Sequence, residues 1–166
     1  MESKENSNKS FMVKNKLDKI NSTSLPIGYR FTNFRPGDEN NWAYIQYKAG
    51  IFKDYQIAIR TIFKVAKSFG NGFGEVCLFL ENEVGERIGT IMILPSSSED
   101  DVQQIKYLAL NPKWQGQGLG KVLMSKAYKV INDMDGANRI NLEISGDKAK
   151  GFFESLGFEK LVQENI

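Results

Sequence analysis

Histidine is absent from the 166 residues, and cysteine occurs once, at Cys77. A lone thiol cannot form an intrachain disulfide, and a Cys/His metal cage cannot be assembled. The lack of histidine also removes every mechanism that uses imidazole as base, triad member or ligand. A catalytic base must therefore be a carboxylate, a tyrosine, a lysine, the thiol or water. No run approaches the ~20 apolar residues that a membrane-spanning helix needs. The first residues carry charges but no apolar core, so they do not read as a secretory signal. These features suggest a reducing, cytoplasmic setting. Charge of one sign is also missing: 22 Lys and Arg face 20 Asp and Glu, a net charge of +2. Such a balance offers no electrostatic case for nucleic acid or an anionic membrane. The 41% of apolar residues is enough for one ordinary core.

Residues 1–24 are rich in Ser, Asn and Lys and read as a mobile tail, whose removal through residue 20 should leave the fold intact. One domain is expected over 25–166. Tyr29-Arg30-Phe31 is a plausible first strand. Asp38 is placed to cap a helix bearing Trp42, Ile45, Ala49 and Phe52 on one face. Asp54 opens a second helix with Ala58, Ile62, Val65, Ala66 and Phe69 in a stripe, and Gly70-Asn71-Gly72 stops it. Residues 76–80 and 88–94 read as an antiparallel hairpin.

A strand over Ile105–Leu110 then ends at Asn111-Pro112. Helical spacing runs from Leu119 to Ile131. Ile140, Leu142 and Ile144 alternate with polar residues as a strand. A helix over Lys148–Leu156 ends at Gly157, and a strand over Phe158–Val162 follows. A hairpin first and strand–helix alternation last predict a mixed α/β sheet with helices on both faces.

The chemistry concentrates in Gln115-Gly116-Gln117-Gly118-Leu119-Gly120. Three glycines at alternate positions lie between a strand and a helix. A helix start carries unsatisfied N–H groups and partial positive charge, and glycines let the backbone approach an anion closely. The stretch therefore suits a phosphate or diphosphate, although a ligand-free glycine-rich connection has the same composition. It is not a Walker loop, because Gln115 and Val122 occupy required positions. Its G-x-G-x-G spacing also differs from the dinucleotide fingerprint.

Gln115–Gly120 resembles the Q/R-x-x-G-x-G/A coenzyme A signature of the GNAT superfamily of N-acetyltransferases. Leu108-Ala109-Leu110-Asn111-Pro112 looks like the strand ending that precedes it. Residues 149–158, AKGFFESLGF, resemble the late helix of that family. The resemblance covers roughly residues 25–166. It implies a mostly antiparallel sheet with two parallel strands splayed in a V that receives the pantetheine arm.

By that resemblance acetyl-coenzyme A would be the acyl donor, and a small-molecule or peptide amine the acceptor. Leu108, Ala109 and Leu110 would line the donor, with the N–H of Leu110 polarising the thioester carbonyl. Gln115, Gly116, Gln117, Gly118, Leu119, Gly120 and Lys121 would hold the pyrophosphate. Glu143, on the polar face of the second splayed strand, is the candidate base, with Glu75 and Glu81 as weaker ones. The alternative for Glu143 is a surface pair with Arg139 or a lysine.

Two positions depart from the family. Phe153 stands where many members place a tyrosine that protonates the leaving thiolate, and Gly146 replaces an asparagine that contacts the cofactor. Phe153 would still face the cofactor. Solvent, Ser145 or another tyrosine is then left to supply the proton. A non-catalytic coenzyme A-binding module of the same fold, and a nucleotide-binding protein using the same turn, are the rival readings. No metal, nucleic-acid or membrane partner is expected, and a homodimer is compatible with the sequence. Cys77 and Trp114 are expected to pack in the interior.

Overall fold

The fold is described from a computed structural model covering residues 10–15, 23–144 and 147–160. Seven strands form one sheet: β1 Ser10–Asn15, β2 Arg30–Asn33, β3 Cys77–Glu81, β4 Arg87–Pro95, β5 Val102–Leu110, β6 Arg139–Ile144 and β7 Glu159–Lys160. Their spatial order is β2-β3-β4-β5-β6-β1-β7. β5 and β6 run parallel, and the other neighbouring pairs are antiparallel. The helices, which cover both faces of the sheet, are α1 Glu39–Lys48, α2 Tyr55–Phe69, α3 Phe73–Val76, α4 Leu119–Asn132 and α5 Asp147–Ser155.

Apolar periodicity explains most of this. β3 is buried along its whole length, as a central strand covered on both faces must be. α4 buries Leu119, Val122, Leu123, Ala127 and Ile131, the three-and-four spacing of one helical stripe. Both α1 and α4 pack on β4 and β5, which places the core around those two strands. Burying a side chain such as Leu123 completely contributes about 1.5–3 kcal/mol. Asp54 caps α2 as expected, accepting from Gln56 N at 2.7 Å. Asp38 holds the cap position of α1 without making the cap bond. Its carboxylate instead accepts from the N–H of Arg35 at 2.8 Å and pairs with Arg87.

Three expectations are corrected. Ser10–Asn15, assigned to a mobile tail, is a strand inserted between β6 and β7. Met12 is buried there, and Lys14 Nζ donates to the carbonyl of Leu156 at 2.7 Å. Pairing on both edges supplies the stability that the local composition does not suggest. Next, α3 precedes the hairpin, where a strand was expected to begin at Val76. Gly74 permits this, since a Cβ there would lie 2.5 Å from the carbonyl oxygen of Phe34. Finally, β5 begins at Val102, three residues earlier than expected. The last strand is found at Glu159–Lys160, and its expected continuation lies outside the described residues, as do Ser145 and Gly146.

Candidate functional site

The site forms where β5 and β6 part. They pair from Val102↔Arg139 to Ile105↔Leu142 and no further. β6 continues to Ile144 along β1, while β5 continues to Leu110 along β4. A gap therefore opens between the strands toward their C-terminal ends, and α4 starts beside it.

A bulge in β5 decides which backbone groups face that gap. Lys106 pairs with Met92, and Ala109 pairs with Thr90. Three steps along β5 thus oppose two along β4, so one residue is extra. Tyr107 absorbs it with φ of 53°, the left-handed backbone that a non-glycine residue seldom adopts. In a strand, alternate residues direct their N–H and C=O to opposite edges. Before the bulge the carbonyl of Val102 accepts from Ser96 N, so even-numbered residues address β4. After it the N–H of Asn111 donates to the carbonyl of Ile88 at 2.8 Å, so odd-numbered residues do. Leu108 and Leu110 therefore turn their amides to the β6 side, into the gap.

The glycine turn follows directly. Asn111 Oδ1 accepts from Lys113 N at 3.1 Å and opens a 3-10 turn over Pro112–Trp114. Gln115 then reaches back, its Nε2 donating to the carbonyl of Leu110 at 2.9 Å. The N–H of Gln115 is turned in to Pro112 O at 3.3 Å, so the outward donors begin at Gly116.

Gly116 and Gly118 have φ of 78° and 80°, and a Cβ on either would meet nothing within 4 Å, so conformation rather than crowding requires glycine there. Gly120 differs: its φ is not left-handed, but a Cβ would meet Phe152 Cζ at 3.2 Å. Gly118 is the N-cap of α4 and supplies no side-chain cap, and no acidic residue occupies the first turn. The N–H groups of Leu119, Gly120 and Lys121 precede the first helical bond, made by Val122. Alternating backbone handedness with open space in front makes a concave set of donors that fits a phosphate or diphosphate.

The other expected residues fall as follows. Glu143 is exposed on β6, one residue beyond the last pair with β5. Arg139, its suggested partner, binds Asp101 at 3.1 Å and also Glu99. The hydrogen bond from Arg139 holds the Asp101 carboxyl below its usual range. Phe153 is turned into the core, its ring edge against Phe158 at 5.8 Å, and its neighbour Phe152 is the ring beside Gly120.

Glu81 belongs to a different cluster. Burial pushes its carboxyl up, but hydrogen bonds from Arg30, Thr32 and Arg87 outweigh this and hold it below the usual carboxylate range. Glu75 lines a cleft of about 730 Å³ with Arg30, Arg35 and Arg87. That cleft follows β2, which β3 and β4 hold apart from β5 in the sheet order. Cys77 is buried, and burial raises its thiol pKa to about 12, which makes it a packing residue and not a nucleophile. Trp114 packs partly buried against the core.

Sequence reasoning missed Gln46, which reaches the bulge. Its Nε2 donates to the carbonyl of Tyr107 at 2.7 Å, while the rings of Trp42 and Phe52 contact the ring of Tyr107. The available signal was a glutamine one helical turn after Trp42, inside an otherwise apolar face. Among the described residues no acidic, Cys or His cluster suits a metal ion, and no helix is long and apolar enough to cross a membrane.

Known proteins agree with this architecture. The acetyltransferase (GNAT) domain model matches residues 73–160. A GCN5-related N-acetyltransferase from Sphaerobacter thermophilus superposes with a TM-score of 0.70 at 16% identity, covering 92% of this chain and 48% of that one. Another from Kribbella flavida gives 0.61 at 17% identity, covering 92% and 54%. A tandem GNAT protein of clavulanic acid biosynthesis gives 0.69 at 10% identity, covering 92% and 50%. The chain thus spans about half the length of these structures, and at such identity the likeness concerns the fold. No curated protein matches the sequence. With the domain model covering more than half of its residues, glycine turn and strand gap included, the chain belongs to the GNAT acetyltransferase family.

Proposed function

We propose that this protein transfers an acetyl group from acetyl-coenzyme A to a primary amine by direct attack. One observation carries the reading: the amide of Leu110 is directed into the β5–β6 gap, beside an uncapped glycine turn that suits a diphosphate.

When bound, acetyl-coenzyme A supplies an activated acyl group as a thioester. The amides from Gly116 to Gly120, with Lys121, would hold its diphosphate. Leu108 to Leu110 would line the arm, and the N–H of Leu110 would meet the thioester carbonyl oxygen, stabilising negative charge as it develops. An alkyl amine has a pKa of about 10 and arrives protonated at neutral pH, so a base must take its proton. Glu143 is assigned that role through a water molecule, since it stands on β6 just past the point of separation. The amine nitrogen then bonds to the acyl carbon and gives up its second proton to solvent, the carbon–sulfur bond breaks, and the sulfur departs as thiolate. With an ordinary thiol pKa of about 8.5, that departure can proceed without a protein acid. The acceptor is a small molecule or a peptide amine, and the cytoplasm is the proposed setting.

A second reading, a coenzyme A-binding module without turnover, is favoured by α5, where neither Phe152, beside Gly120, nor Phe153 has a hydroxyl to offer the leaving sulfur. Calorimetry with acetyl-coenzyme A, followed by amine-dependent thiol release with an amine panel, separates the two. Binding with release supports transfer. Binding without release supports the module, and no binding defeats both.

A further inference from the structure

We infer that Gln46 is a positioning residue that locks the β5 bulge and so keeps the amide of Leu110 aimed into the gap. The inference rests on the transfer reading for its consequence in turnover, but its structural half stands apart from it.

Gln46 is fully buried on α1, and its Nε2 donates to the carbonyl of Tyr107 at 2.7 Å. Its Oε1 meets no protein donor. A buried amide satisfied on one side only is a poor choice for packing, because an apolar side chain would avoid the desolvation. What the amide does here is hold the carbonyl of the one non-glycine residue with left-handed backbone among the described residues. Trp42, one turn earlier, sets its ring edge-on to Tyr107 at 5.2 Å, and Phe52 stacks on the same ring at 5.9 Å. The carbonyl and the side chain of the bulged residue are thus held by the same helix and the loop after it.

The consequence follows from strand parity. Removing one residue from a strand ladder reverses the edge to which each later backbone group points. If Tyr107 relaxed to extended backbone, Leu108 and Leu110 would turn their amides to β4, and Ala109 and Asn111 would lose theirs from it. The oxyanion donor would then face away from the gap. The glycine turn would be disturbed less, because α4 is fixed to the core by Leu119, Val122 and Leu123.

The test uses the full chain with Gln46→Met and Gln46→Glu, which keep length but lose the neutral amide donor. Amide hydrogen exchange is the direct readout. In the unsubstituted protein Leu110 should exchange much faster than Asn111. In either variant Leu110 should gain protection while Ala109 and Asn111 lose it. Turnover should fall about a hundredfold, the scale of one lost oxyanion donor, with coenzyme A affinity changed by less than about fivefold. An Asn111-like protection of Leu110 in the free protein would overturn the inference, as would an unaltered exchange pattern in a folded variant. Absence of amine-dependent thiol release from the unsubstituted protein would instead refute the transfer reading, and the exchange pattern would still decide the role of Gln46.

Discussion

Replacing Gly118 tests the diphosphate cradle most directly. Gly118 has φ of 80° and ψ of 5° at the N-cap of α4. A Cβ there meets nothing within 4 Å, so a side chain fits and only the backbone objects. Left-handed backbone costs an ordinary residue about 1–2 kcal/mol. In Gly118→Glu a carboxylate beside the helix start returns about 0.3–1 kcal/mol through the dipole. The net loss of about 0–2 kcal/mol should lower the melting temperature by no more than about 8 °C at this chain length.

Binding should suffer far more than stability. A unit negative charge about 4 Å from a phosphate costs about 4 kcal/mol at the effective dielectric of a protein surface. That is about a thousandfold in affinity before any lost hydrogen bond is counted. Gly118→Asn is the control, since asparagine tolerates left-handed backbone and carries no charge; it should lose less than about tenfold. Calorimetry with acetyl-coenzyme A, beside thermal melts of the same samples, reads both quantities. Should the glutamate variant bind within about tenfold of the unsubstituted protein, the diphosphate does not sit at this turn.

Four further outcomes are expected. Glu143→Gln should lower turnover by about a hundredfold with donor affinity nearly unchanged, and an unaltered pH–rate profile would remove Glu143 as base. Lys14→Met removes a charged hydrogen bond to Leu156 O and should cost about 1.5–3 kcal/mol in denaturant titration. Deleting residues 1–15 should be worse still, because β7 joins the sheet through β1; an unchanged midpoint for that deletion would show the strand to be dispensable. Glu81→Gln should cost about 1–2 kcal/mol at neutral pH, the exposed Arg30 contributing little. Because the folded carboxyl titrates below its ordinary value, its contribution is present above the ordinary glutamate pKa and is lost as pH falls through the folded one. The variant should therefore have a flatter acid limb, and an identical limb would contradict the assigned pairing.

What could be read from the sequence were features whose cause is local. The stripe of α4 and the alternation of β6 are set by periods of 3.6 and 2, and both are found where those periods placed them. The glycine turn was legible because strand, breaker and helix start are consecutive. Yet its three glycines looked equivalent and are not: Gly116 and Gly118 answer to backbone handedness, Gly120 to a ring from a helix about thirty residues later.

Features whose cause is distant were hidden. Ser10–Asn15 has no strong period of its own, and its order comes from β6 and β7 on its two sides. Phe152 and Phe153 are adjacent aromatics on a helix, about 100° apart, so composition could not say which would face the glycine turn. The bulge is the clearest case. Ile105–Leu110 reads as an unbroken strand, and no residue in it advertises an interruption. Tyr107 is left-handed because of contacts from Trp42, Gln46 and Phe52, with the Gln46 bond closing a separation of 61 residues. The strand that carries the proposed oxyanion donor is therefore aimed by residues outside it. A motif confined to residues 108–120 marks the proposed diphosphate site without specifying which way Leu110 points, and that direction is fixed by the first helix.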